Sequence, residues 1–113
     1  MNKRQIGSDY EHRAAEYLRE KGMTVLEMNF RNRGGEIDII AKDGEYICFI
    51  EVKYRTTNQY GSPLEAVDYR KQKQIRKVAL YYLMMHGLNE WTPCRFDVIA
   101  FEGDEITHIE NAF

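Results

Sequence analysis

The stretch from Gly35 to Arg55 constrains the fold more than any other part of the chain. Residues 36–41 and 45–55 are rich in β-branched and aromatic side chains, and Asp43-Gly44 between them is a hairpin signal. Residues 24–30, anchored by Val25 and Phe30, form a further strand that precedes them across the turn Arg31-Asn32-Arg33-Gly34-Gly35. Consecutive hairpins of this kind make an antiparallel meander. Side chains alternate faces along a strand. Parity therefore groups Ile37, Ile39 and Ala41 on one face of the middle strand, and Glu36, Asp38 and Ile40 on the other. In the last strand Ile47, Phe49, Glu51, Lys53 and Arg55 share a face. Asp38, Glu51 and Lys53 can thus converge on one face of a two-stranded ribbon, with Lys53 about 6–7 Å along the strand from Glu51.

That face changes character along its length. Ile47 and Phe49 mark one end as buried, whereas Glu51, Lys53 and Arg55 mark the other as charged. Charges entering a sheet interior are costly unless they are paired or bound to a metal. Two carboxylates with open coordination positions suit a hard divalent cation such as Mg²⁺. A neighbouring lysine would orient or stabilise a hydroxide, and the set fits metal-assisted phosphodiester hydrolysis. The same residues also fit an edge-strand ion pair of Asp38 or Glu51 with Lys53. Spacing alone leaves both readings open.

Helices flank the meander. Ser8-Asp9-Tyr10-Glu11 reads as a capping box, and Tyr10, Ala14, Tyr17 and Leu18 follow at helical spacing up to Gly22. This predicts a helix over about 9–21. Residues 56–62 are polar and read as a loop. Ser62-Pro63-Leu64-Glu65 is a second capping box, and apolar periodicity then runs through Val67, Ile75, Val78, Ala79 and Tyr82 to Gly87. Asp68 is a good alternative N-cap within that run. A strand over 94–101 and a short one over 106–109, joined by Gly103-Asp104, complete the order αβββαββ, one mixed sheet in an α/β protein.

The 113 residues carry no internal repeat or linker, so residues 1–113 are expected to form a single domain. No apolar run is long enough for a membrane span and no signal-like segment opens the chain, so the expected location is cytoplasmic. Cys48 and Cys94 are too few for a disulfide framework or a cysteine-rich metal site. Sixteen Lys and Arg against 18 Asp and Glu give a net charge of -2. The balance is uneven, at +3 over residues 1–89 and -5 over residues 90–113. Overall acidity does not exclude an anionic partner, because binding follows the local field. Arg70, Lys71, Lys73, Arg76 and Lys77 concentrate positive charge near the start of the second helix. Arg70, Lys73 and Lys77, with Arg31, Arg33 and Arg55, could cradle a phosphate backbone, although such a run is more often a solvated helix face. The three histidines show no metal-ligand spacing. Glu36 reads better as a solvated charge beside a turn than as a supporting group for Asp38.

Asp38 followed by Glu51-Val52-Lys53 resembles the Asp…Glu-x-Lys signature of the PD-(D/E)XK nuclease superfamily. The wider set resembles a widespread bacterial family, the YraN family, with a predicted nuclease fold. That set comprises Gly7 and Glu11, Gly-Glu-Ile-Asp-Ile-Ile-Ala (35–41), Glu-Val-Lys-Tyr-Arg (51–55), Pro-Leu-Glu-Ala-Val (63–67), Arg-Lys-Gln (70–72) and Phe-Asp-Val-Ile-Ala (96–100). It covers nearly the whole chain. The resemblance implies a restriction-endonuclease-like αβββαβ core with an extra C-terminal strand, and archaeal Holliday junction resolvases as the nearest functional analogy. It implies that Asp38, Glu51 and the Val52 carbonyl bind Mg²⁺ or Mn²⁺, that Glu11 completes the site, that Lys53 sits beside the attacking water, and that Gln72 is the helix glutamine of many members. The implied partner is DNA, with branched and flapped structures among the substrates, and the implied assembly is a homodimer. The expectation is thus a metal-dependent endonuclease; the alternative is a noncatalytic nucleic-acid-binding or protein-interaction module that keeps the fold.

Overall fold

The computed structural model describes residues 2–55 and 67–113. Its elements are α1 (Lys3–Glu20), β1 (Thr24–Asn32), β2 (Gly35–Asp43), β3 (Tyr46–Arg55), α2 (Tyr69–Met85), β4 (Cys94–Glu102) and β5 (Glu105–Ile109). This is the expected αβββαβ order with an additional C-terminal strand. The five strands form one mixed sheet in the spatial order β1-β2-β3-β4-β5. Only β3 and β4 run parallel, and α2 lies in the connection that a parallel pair requires. One apolar cluster packs Phe30, Ile40, Phe49 and Val98 of the sheet against Ile75, Val78 and Tyr82 of α2. The other packs Ile39, Cys48, Ile50 and Phe101 against Ala14, Ala15 and Leu18 of α1. Among the described residues, no helix is long and apolar enough to cross a membrane.

Helix α1 starts earlier than its apolar periodicity predicts. Asn2 is the N-cap, its side chain accepting from the Gln5 N–H at 2.8 Å. Ser8 therefore lies inside the helix, where its carbonyl is 2.8 Å from His12 Nδ1, and the expected Ser8–Glu11 capping box does not form. The first turn, Lys3-Arg4-Gln5, is polar and exposed, so no apolar repeat betrays it. For α2, Asp68 is the N-cap and accepts from the Lys71 N–H at 2.9 Å. The other expected start, Ser62 to Glu65, lies outside the described residues. Strand β1 runs past Phe30, since Arg31↔Glu36 and Asn32↔Gly35 still pair and the turn shrinks to Arg33-Gly34.

The parity expected for β2 fails at one point. Ile39 and Ala41 belong to the α1-side cluster, but Ile37 joins Ile40 on the α2 side. Strand β1 changes face at the same level, with Met28 on the α1 side and Phe30 on the α2 side. Asn29 lies between them with φ 55, a left-handed backbone that asparagine tolerates better than most residues. The pairs Met28↔Ile39 and Phe30↔Ile37 stay in register across the kink. Both strands therefore turn together, and Asp38 sits at the turning point of β2.

Candidate active site

The antiparallel pairing of β2 with β3 ends at Ile39↔Ile50. Beyond it, the Val52 N–H donates to Asp38 Oδ2 at 2.8 Å, so a side chain takes the place of a ladder carbonyl. Asp38 and Glu51 are 8% and 4% exposed. The Asp38 carboxyl has that of Glu51 as its neighbour. Burial, and then the hydrogen bond and charge of Glu51, push Asp38 up to about 8, against the Val52 N–H and the Lys71 ammonium. Like charges this close cannot both ionise cheaply, so burial and the Glu51 charge favour the protonated form of Asp38. Glu51 Oε2 has the Lys71 ammonium 3.4 Å away. Among the described residues, no group hydrogen-bonds to that buried oxygen.

Glu11, released from any capping role, approaches from α1. Burial raises its pKa, and so does the charge of Asp38, while a hydrogen bond from the Asn29 side chain lowers it. Asn29, at the kink of β1, is thus also a neighbour of Glu11. Asp38 and Glu51 meet beyond the last β2–β3 pair, where Lys71 reaches Glu51 from α2 and Glu11 of α1 stands near Asp38.

The other expected site residues fall into distinct places. Lys53 is half-buried on β3, opposite Ala100 of β4. Among the described residues, the cation paired with Glu51 is Lys71 rather than Lys53. Gln72 donates from Nε2 to the Val67 carbonyl at 3.0 Å, fastening the entry to α2. Arg31 pairs with Glu36 at 3.0 Å, the cross-strand role that leaves Glu36 a surface charge. Arg55 ends β3 opposite Glu102. Arg33 and Lys77 come together in a notch with Asn32, Gly34 and Tyr81, because the β1–β2 turn packs on Val78 of α2. Arg70, Lys73 and Lys77 line an adjoining open groove along α2.

Asp38 and Glu51 offer hard oxygen donors, one of them without a hydrogen-bond partner among the described residues, and that chemistry fits a hard divalent cation. Among the described residues, no three acidic, His or Cys side chains are gathered closely enough to enclose a metal ion. Glu11 therefore stands near the pair without closing a three-ligand cluster.

A second polar cluster escaped the sequence reading. Asp97 Oδ1 accepts from Arg95 Nε at 3.0 Å and the Asn111 N–H at 2.9 Å. Its Oδ2 accepts from Arg95 Nη2 at 3.1 Å and lies 2.8 Å from His108 Nε2. Arg95 also pairs with Asp43 at 3.0 Å. Lys71 escaped as a site residue too, merged into a basic run that spacing alone could not resolve.

Fold and site together define a mixed α/β protein with a buried acid pair at the open end of a β-hairpin. The chain belongs to the uncharacterised protein family UPF0102, which matches residues 10–101. It is 50% identical over 113 residues to a UPF0102 protein of Thermodesulfovibrio yellowstonii, covering all of this chain and 99% of the relative. It is 49% identical to one of Lachnoclostridium phytofermentans, covering 100% and 96%, and 41% identical to one of Colwellia psychrerythraea, covering 99% and 88%.

Proposed function

We propose that this protein is a metal-dependent endonuclease that hydrolyses phosphodiester bonds in DNA. The observation that carries the reading is the Asp38–Glu51 pair, two buried acids side by side, with a Glu51 oxygen that has no hydrogen-bond partner among the described residues. As a purely structural device such a pair is poor, because it sets desolvation and repulsion against one hydrogen bond. As a cation site it makes sense, since a hard ion would offset the repulsion between the two acids. Mg²⁺ or Mn²⁺, when bound, supplies positive charge that stabilises a phosphorane-like transition state. Asp38, Glu51 and the Val52 carbonyl would hold it, with Glu11 as a further acid. Lys53, two residues along β3 from Glu51, would sit beside the attacking water. Arg33 and Lys77 would grip a backbone phosphate, and Tyr81 beside them offers a ring for stacking. Branched or flapped DNA as substrate rests on the family resemblance.

A noncatalytic nucleic-acid-binding module is the competing reading. It is favoured by Lys71 standing where a metal would bring its charge, and by Gln72 being engaged at Val67. The discriminating experiment is a cleavage screen over duplex, single-stranded, flap and four-way DNA with Mg²⁺ or Mn²⁺, beside binding in EDTA. The enzyme reading expects metal-dependent cleavage that Asp38→Asn reduces by at least about a hundredfold, the scale of losing a group acting in the transition state. Binding without cleavage in any metal favours the module. Cleavage undiminished by Asp38→Asn removes Asp38 from the chemistry.

A further inference from the structure

We infer that Lys71 is a resident counter-ion of the carboxylate pair, one that a divalent cation must displace. The inference rests on the metal-binding reading above. Lys71 stands in the first turn of α2, its backbone N–H fixed by the Asp68 cap at 2.9 Å. From there its ammonium reaches Glu51 Oε2 at 3.4 Å, and its charge is also felt at Asp38. Oε2 is the same buried atom that lacks a hydrogen bond. The ammonium therefore neutralises this oxygen without satisfying it. Its side chain is 35% exposed while Glu51 is 4% exposed. The lysine stem is flexible and its head strongly hydrated, so Lys71 can withdraw to water whereas Glu51 cannot follow.

An ion bound at Glu51 and an ammonium beside Oε2 compete for one negative charge. Filling the site would send the Lys71 head out among Arg70 and Lys73, which line the basic groove of α2. Loading the acid pair and strengthening the phosphate-facing surface thereby become one event.

The test is calorimetric titration of Mn²⁺ into the parent, Lys71→Met, Lys71→Arg and Glu51→Gln proteins, without nucleic acid. Lys71→Met should bind Mn²⁺ on the order of tenfold more tightly than the parent, the size of an ordinary coupling between competing ligands. Lys71→Arg, which keeps the charge, should stay near the parent, and Glu51→Gln should lose binding. Thermal unfolding with and without Mn²⁺ guards against a destabilised variant, and the Mn²⁺-induced rise should be larger in Lys71→Met. A parent that binds Mn²⁺ while Lys71→Met binds equally or more weakly overturns the counter-ion inference and leaves the metal reading intact. Mn²⁺ binding by neither protein sinks the metal reading, and the inference falls with it.

Discussion

Asp97 and Asp38 are buried aspartates on strands of one sheet, yet the chain surrounds them in opposite ways. Asp97 is met by donors from Arg95, His108 and Asn111. Burial pushes its carboxyl up, but the hydrogen bonds from His108, Arg95 and Asn111 outweigh that and leave its pKa lowered. Asp38 is met by one backbone N–H and a second acid, and its pKa is raised. A buried charge with its lone pairs satisfied holds segments together. A buried acid facing another acid is retained at a cost to stability, which is typical of a site kept for ligand or reaction.

The largest effect should separate the two directly. Asp97→Asn puts an amide among donors and leaves Arg95 without a full counter-charge, and breaking such a buried pair costs about 3–5 kcal/mol. That is a large fraction of the ~5–15 kcal/mol that usually holds a domain folded. Asp38→Asn keeps an oxygen for the Val52 N–H and removes one of two facing acids, so its cost should lie within about 1 kcal/mol. Urea unfolding at pH 7 in EDTA measures both. Equal losses at the two positions would mean that both aspartates are held by their surroundings alike.

The two sites also differed in how far they could be read beforehand. Asp38 and Glu51 lie 13 positions apart on one hairpin, so local geometry brings them together and the motif is visible along the chain. Asp97, His108 and Asn111 meet through the β4–β5 return, and Asp43 and Lys21 join from other elements. No periodicity announces such a meeting, since each partner looks like an ordinary polar residue at its own position. The element order was legible because apolar patterning and the Asp43-Gly44 and Gly103-Asp104 turns mark it. The kink at Asn29 and Asp38 was not, because parity assumes an unbroken strand. The start of α1 was missed for a different reason: its cap is a local hydrogen bond ahead of a turn with no buried residue.

A smaller and continuous effect appears with pH. For Asp38 the folded value, about 8, lies above the reference of 3.8, so the folded state holds a proton the unfolded state has lost. Stability should therefore fall as pH rises from about 4 to about 8, then level off. For Asp97 the folded value lies below 3.8. Its contribution is present at higher pH and is lost as pH falls through the acid range below that reference. Chemical denaturation from pH 3 to 9 in EDTA should show Asp38→Asn flattening the decline toward pH 8, and Asp97→Asn weakening the loss on the acid side. A parent curve that rises from pH 4 to 8 in a manner dependent on Asp38 would reverse the sign assigned to that pair.

The smallest effect concerns the lysine that borders each site. Lys21 caps the end of α1 and places its ammonium 2.9 Å from His108 Nδ1 and 3.5 Å from Glu110 Oε2. An ammonium only donates, so Nδ1 accepts, and the imidazole proton rests on Nε2, where it is donated to Asp97 at 2.8 Å. Lys21 therefore selects a tautomer at the rim of a network that Arg95 and Asn111 already close. Its side chain is 36% exposed and its pair with Glu110 is half in solvent, so Lys21→Met should cost no more than about 1 kcal/mol. Lys71→Met differs, because it removes the ammonium paired with the buried Glu51, and its cost without metal should exceed that of Lys21→Met. Urea midpoints of the two variants, with the nitrogen shifts of His108 to follow its tautomer, make the comparison. A Lys21→Met loss as large as that of Asp97→Asn would mean that the network closes only through Lys21, and that Asp97 is less self-sufficient than its hydrogen bonds imply.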